Sequence, residues 1–210
     1  PGGGPSVLAG RLRALGAQVT EARTGEIREI PGALAGVALH RYTHLVFTSK
    51  YGVGFFFKQL AALGLDARAL AGIRVAAVGK ATGETLESRG IRPDIVPGRY
   101  DSDALLDALK EELGPGHRVL LVKVKDRSAE FGRRLGELAR VDLLEIYENR
   151  DLGAQEVDGQ MGEGPYDIAA FTCSSAARQC AAWRERTGAP PPGLAVSIGE
   201  KTTRTLEGCG

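Results

Sequence analysis

The sequence predicts an α/β protein built as two similar doubly wound parallel-sheet domains, and three observations carry that prediction. Short apolar runs alternate with amphipathic stretches of about three helical turns along the whole chain. Runs such as RVLLVKV (118–124) are apolar almost throughout, as expected of a strand buried on both faces. One device also occurs twice. Phe47-Thr48-Ser49 precedes a helical pattern and then Val78-Gly79-Lys80-Ala81-Thr82; Phe171-Thr172-Cys173-Ser174 precedes another and then Ile198-Gly199-Glu200-Lys201-Thr202. From phenylalanine to glycine the spacings are 32 and 28 residues. Two α/β domains of one design fit this duplication better than a single continuous sheet.

Each element follows from local chemistry. Ser6 is placed to cap a helix running to about Leu15, and Gly16 stops it. QVTEA (18–22) reads as a strand, and LVFT (45–48) as a second, followed by a helix from about Tyr51 to Leu63. IRVAAVG (73–79) is a strand, ATGETLESRG a helix with its stop at Gly90, and DIVP (94–97) a short extended piece. SDALLDALKEEL is helical, with Asp101 or Ser102 as its cap. Then come the strand HRVLLVKV, the helix SAEFGRRLGELAR and the strand VDLLEIY. The chain finishes with the strand DIAAFT, a helix from Ser174 to about Arg186, the strand LAVSIG and a helix from about Lys201.

Two stretches read as linkers: Arg28–Gly32, which holds Pro31 and Gly32, and Tyr147–Gly153, with its polar ENRD. Cutting there gives an inserted domain, 32–147, of ordinary size. The flanking pieces, 1–31 and 150–210, are each too small to fold alone and combine as one discontinuous domain.

Composition narrows the function. The 210 residues carry 27 basic and 26 acidic side chains, a net charge of +1, which gives no basic face for nucleic acid or membrane. No apolar run reaches the roughly 20 residues of a membrane-spanning helix. Cys173, Cys180 and Cys209 are an odd set without metal-site spacing, and read as reduced thiols of a cytoplasmic protein. His40 and His44 stand four apart, but with no third ligand nearby both read as solvated loop histidines rather than a metal pair. Phosphate-loop, dinucleotide, GxSxG and HExxH motifs are missing. No cofactor or metal is expected, and catalysis would rest on positioning and electrostatics.

The repeated strand ends are the candidate site. In parallel α/β sheets ligands bind beyond the carboxyl ends of the strands, where helix N-termini present free N–H groups. Thr48, Ser49, Thr82, Thr172, Ser174, Ser175, Thr202 and Thr203 all fall at such turns. Ser and Thr are also preferred helix caps, and that is the competing reading of any one of them. Caps need not be matched in both halves, so the duplication favours a ligand.

The chain resembles the uroporphyrinogen-III synthase family. The resemblance lies in LVFTSKYGVGFF (45–56), VAAVGKATGETLESRGIRPDIVP (75–97), SDALLDAL (102–109), EIYE (145–148), DIAAFTCSSAAR (167–178) and VSIGEKTTRTL (196–206), in the family's order. It implies two α/β domains joined by a two-stranded linker, with the active site in the cleft between them. It also implies cyclisation of hydroxymethylbilane, a linear tetrapyrrole, to uroporphyrinogen III. Water is lost, ring D is inverted, and no cofactor or metal takes part. Tyr147 matches the family's recurrent tyrosine, a donor to the departing hydroxyl. Thr82 and Thr202 match its Gly-x-x-Thr threonines as carboxylate contacts, with Thr48, Ser49, Thr172, Ser174 and Ser175 beside them. Lys80 and Lys201 share those turns, where solvated lysines are the simpler reading. Cys173 replaces the usual serine of the second copy. By the same resemblance both ends look trimmed, as in a segment of a longer, fused polypeptide. A monomer or a fusion domain is expected, acting on a small molecule. The rival class is a non-enzymatic tetrapyrrole or polyanion sensor on the same scaffold.

Overall fold

RVLLVKV forms the inside of a five-stranded sheet. In the computed structural model, which describes residues 6–126, 129–162 and 164–209, β4 (Arg118–Val124) lies between β2 (His44–Phe47) and β5 (Arg140–Asp151). With β1 (Gly25–Glu29) and β3 (Arg74–Ala77) the order is β1-β5-β4-β2-β3. The β2–β3, β2–β4 and β4–β5 pairs are parallel, and Phe47 stands level with both Ala77 and Val122. β1 runs antiparallel to β5: Leu152 N–H donates to the Thr24 carbonyl at 3.0 Å and Ile30 N–H to the Ile146 carbonyl at 2.9 Å.

Alternation along the strands fills two cores, because successive side chains point to opposite faces. Leu45, Phe47, Leu120, Val122, Leu144 and Ile146 pack with Val53, Phe56 and Leu60 of α2 (Lys50–Ala62) and Leu86 of α3 (Lys80–Glu87). Val46, Ala76, Val119 and Leu121 pack on the other side. There they meet Leu105, Leu106 and Leu109 of α4 (Ser102–Lys110) and Phe131 and Leu135 of α5 (Ala129–Gly136). Asp101 caps α4, accepting from Ala104 N at 2.8 Å. Ser128, where the sequence starts α5, lies outside the described residues.

The chain divides into two units: residues 1–26 with 150–210, and residues 27–149. Both crossings between units fall within the β1–β5 ribbon. The first unit holds a parallel pair, β6 (Ile168–Phe171) and β7 (Leu194–Ser197), in register from Ile168–Leu194 to Phe171–Ser197. Its helices are α1 (Val7–Ala14), α6 (Ala154–Met161), α7 (Ser174–Thr187) and α8 (Glu200–Glu207). Ser6 caps α1 through Ala9 N, and Gly16 follows it in the left-handed region at φ +88°.

Four local readings need correction. Residues 18–22 are not a strand; the strand here is β1, which overlaps the expected linker at Arg28. GEIRE has no apolar run to announce it, and pairing with β5 is what makes it extended. The strand expected to end at Tyr147 instead continues through ENRD to Asp151, polar because strand pairing requires only backbone groups. The helix α6 was not visible, since AQEVDGQM has one buried apolar residue, Val157. His44 is not solvated: it is 3% exposed at the start of β2.

Candidate active site

Each unit places two helix N-termini at the carboxyl ends of neighbouring parallel strands, and the two copies match in detail. At the first turn Ser49 (φ −163°, ψ 154°) and Cys173 (φ −162°, ψ 160°) are the N-cap residues of α2 and α7. At the second, Gly79 (φ 178°, ψ −179°) and Gly199 (φ 179°, ψ 169°) cap α3 and α8. Val78 N–H donates to the Phe47 carbonyl and Ile198 N–H to the Phe171 carbonyl, both at 3.0 Å. Thr82 and Gly83 amides return to the Gly79 carbonyl at 3.1 and 3.0 Å; Thr202 and Thr203 amides return to Gly199 at 2.9 and 3.0 Å. The first amides of these helices, at Lys80–Ala81 and Glu200–Lys201, are the ones a helix leaves without an internal acceptor. Such amides suit carboxylates without any cation.

The expected residues sort by their surroundings. Thr82 and Thr202 are 4% and 5% exposed, so neither threonine stands open to solvent. Thr48 donates its hydroxyl to the Val122 carbonyl at 3.3 Å, and Thr172 is exposed beside Cys173. Ser174 donates to the Lys201 carbonyl at 3.3 Å, which ties the two turns of the first unit together. The Ser175 hydroxyl is 3.2 Å from Cys173 Sγ. Thr203 and Ser197 share a hydrogen bond of 2.5 Å. Lys80 and Lys201 are exposed, and Lys80 pairs with Glu84 at 3.8 Å.

Ser49 and Tyr147, 98 positions apart, meet within residues 27–149 at 2.7 Å between hydroxyl oxygens. Ser49 Oγ also accepts Gly52 N–H at 3.0 Å. Tyr147 is 5% exposed on β5, with Phe55 at 5.8 Å and Tyr51 at 6.3 Å between ring centroids. The sequence reading missed Gly52. A Cβ there would stand 3.4 Å from both Ser49 Oγ and Val122 Cγ1 and 3.8 Å from the Tyr147 ring, so the absent side chain lets the three converge. A glycine three residues after a capping serine, inside a helix, was the available signal.

At the second copy burial would push the Cys173 thiol up. Hydrogen bonds from Ser175, from the Ala176 and Ser175 amides and from Thr24 outweigh it, and the thiol sits below its ordinary value. Among the described residues, no group of three or more His, Cys, Asp or Glu is arranged to hold a metal. None of the described helices is long and apolar enough to cross a membrane.

Parallel strands ending in helix N-termini, with the arrangement made twice, define an α/β protein with duplicated strand-to-helix turns. The chain belongs to the uroporphyrinogen-III synthase family: the family model described as "Uroporphyrinogen-III synthase HemD" matches residues 6–210. It is 30% identical over 151 residues to a uroporphyrinogen-III synthase of Chlorobaculum parvum, which covers 67% of this chain and 59% of that protein. It is 33% identical over 118 residues to the porphyrin biosynthesis protein HemD of Ruminiclostridium josui, 54% of this chain and 23% of the relative. The matched stretch thus spans less than two thirds of either relative's length. In fold it is similar to a mutant uroporphyrinogen III synthase of Thermus thermophilus (TM-score 0.59, 18% identity, 94% of this chain and 90% of that one). It is also similar to the uroporphyrinogen-III synthetase of Helicobacter pylori (TM-score 0.59, 21% identity, 88% and 80%).

Proposed function

We propose that this chain converts hydroxymethylbilane to uroporphyrinogen III, as a cofactor-free cyclising lyase of tetrapyrrole biosynthesis. The duplicated pair of strand-end turns is the observation that carries the reading. A linear tetrapyrrole bearing eight carboxylates needs many N–H donors spread over a wide surface. Two sets of helix N-termini, with Lys50, Lys80 and Lys201 in three of their first turns, offer that chemistry. The two-domain arrangement with a two-stranded linker, cut near residues 31 and 148–150, belongs to the same proposal. So do the cytoplasmic setting and the state as a monomer or a domain of a fusion protein.

Tyr147 is the acid in this scheme. Its O–H bond breaks and the proton passes to the departing hydroxyl oxygen. The C–O bond breaks with its pair on oxygen, which leaves as water. The electron-rich pyrrole stabilises the resulting azafulvene cation, and attack through a spiro intermediate inverts ring D. A proton lost when the last ring regains aromaticity returns to the phenolate, so one proton is given and one recovered. The turns hold the bilane in the fold that favours this attack over direct closure to the symmetric isomer. Thr82 and Thr202 shape these turns, with Thr48, Ser49, Thr172, Ser174 and Ser175 beside the amides.

The test couples the protein to hydroxymethylbilane synthase and separates the isomers by chromatography. Isomer III is expected, and isomer I alone sinks the reading. Tyr147→Phe is expected to lower kcat by about 10²–10⁴-fold, the usual weight of a positioned acid; an unchanged rate removes the phenol from the chemistry.

A further inference from the structure

We infer that Lys123 and Glu145 are positioning residues for Tyr147: their ion pair pins a β-bulge in β5 that turns the phenol toward α2. The inference takes its catalytic meaning from the lyase reading above, and its substance from the register of β5 against β4.

Side chains alternate along a strand, so residues two apart share a face. In β4, Leu120, Val122 and Val124 pack on the α2 side, and Val119 and Leu121 on the side of α4 and α5. β5 begins in the same way. Leu144 and Ile146 pack on the α2 side, while a Cβ on Gly132 of α5 would stand 3.3 Å from Leu143. Alternation would then send Tyr147 to the α5 side. It does not go there. Lys123 stands level with Glu145 but Val124 with Tyr147, so Ile146 is an extra residue with no partner in β4. The bulge puts two consecutive side chains, Ile146 and Tyr147, into one core. It brings Tyr147 Oη to 2.7 Å from Ser49 Oγ, and its ring centroid to 5.8 Å from that of Phe55.

A clamp of charges closes on the bulge. Lys123 is 3% exposed, and among the described residues it is the only lysine or arginine that is buried. Its Nζ donates to Glu145 Oε1 at 2.7 Å, across the last regular rung before the bulge. The same oxygen accepts Asp126 N–H at 3.3 Å. Asp126 sits at φ +55°, the one non-glycine residue in the left-handed region among those described. The hydrogen bond from Lys123 is the foremost cause holding the Glu145 carboxyl below its ordinary value, so the acceptor is a carboxylate at neutral pH. Glu145 thus bridges Lys123 to Asp126 and draws the chain between them in beside β5. Lys125 N–H then donates to the Tyr147 carbonyl at 2.8 Å, while the Ile146 carbonyl turns to β1 and accepts Ile30 N–H at 2.9 Å. Two apolar side chains would fill the rung about as stably as the ions, but they would leave the Asp126 amide without its acceptor.

The experiment compares wild type with Lys123→Met and with Lys123→Met/Glu145→Leu, each also placed on Tyr147→Phe. The double variant leaves no buried charge unpaired, and the single one decides if the double does not fold. A Cβ on Gly52 would lie 3.8 Å from the Tyr147 ring, so a nuclear Overhauser effect between the Gly52 Hα protons and that ring reports where the phenol points. In both variants this effect is expected to vanish and the Lys125 amide to exchange about tenfold faster, with β2 and Val119–Val122 still protected. In the coupled assay kcat should fall by about 10–10²-fold at unchanged KM. On Tyr147→Phe the same changes should lower kcat no further, because the pair acts through the phenol. A retained Overhauser effect with a protected Lys125 amide overturns the inference, and so does a further loss of kcat on Tyr147→Phe. If wild type produces no isomer III, the lyase reading fails, while the Overhauser effect and the exchange rate still decide what holds the bulge.

Discussion

The two units use one turn design on very different supports. In residues 27–149 the turns end strands of a five-stranded sheet whose β2 residues are all buried and whose β4 is buried from Val119 to Val124. In the other unit they end a two-stranded pair, with Ile168, Leu194 and Val196 between 45% and 60% exposed. Yet the cap residues have nearly the same backbone angles, and the glycine turns close through the same hydrogen bonds. Turn geometry is therefore local, set by strand end, cap and the Gly-x-x-Thr spacing. Stability and side-chain chemistry come from what surrounds the turn.

That contrast can be broken by paired substitutions. Leu121→Ala removes a fully buried side chain from β4 and is expected to cost about 2–5 kcal/mol. Val196→Ala, at a 45% exposed site on β7, should stay within about 0.5 kcal/mol. Chemical denaturation of both variants checks this, and equal losses would mean the two sheets are equally supported. Gly79→Ala places a Cβ 2.7 Å from Tyr100 Cβ, whereas Gly199→Ala meets nothing within 4 Å. The first should destabilise by about 1–3 kcal/mol through overpacking and the second hardly at all, read from their melting temperatures.

Smaller differences sharpen the comparison at the caps. Ser49→Ala loses an N-cap bond to a hydroxyl oxygen and should cost about 1 kcal/mol; Cys173→Ala loses only the weaker contacts of a sulfur and should cost less in the same unfolding measurement.

The amino-terminal edge of the five-stranded sheet gives a further contrast, one that depends on pH. Burial pushes the His44 imidazole below its ordinary value of 6.5, aided by the neighbouring charges of His117 and Arg74 and opposed by Glu112 at 3.8 Å. Its Nε2 has no hydrogen-bond partner, and its Nδ1 is 2.9 Å from Thr43 Oγ1. An unfolded histidine takes up a proton near pH 6.5 that the native one resists. Stability is therefore full above that value and falls as pH drops through it. Wild type is expected to lose more stability than His44→Asn between pH 7.5 and 5.5, and identical slopes would refute the burial argument.

The class of fold was legible because strands buried on both faces are apolar and helices are amphipathic, as at RVLLVKV and SDALLDAL. β1 and the end of β5 were not, because GEIRE and ENRD are held by each other's backbones rather than by a buried face. At the candidate site, the spacing of the turns could be read directly, and Tyr147 was singled out through the family resemblance. The meeting of Ser49 with Tyr147 could not, since it depends on the register of β5 beside β4, including the irregularity after Lys123. The burial of Thr82 and Thr202 was equally hidden, because a threonine one turn into a helix reads the same whether it faces solvent or core.

The proposed function requires both turn pairs to hold one polycarboxylate. Backbone amide shifts followed by NMR during titration with uroporphyrinogen III test that directly. Lys80 and Ala81 in one unit, and Glu200 and Lys201 in the other, should all move and saturate together at one ligand concentration. Shifts confined to one pair, or saturating at separate concentrations, would contradict it.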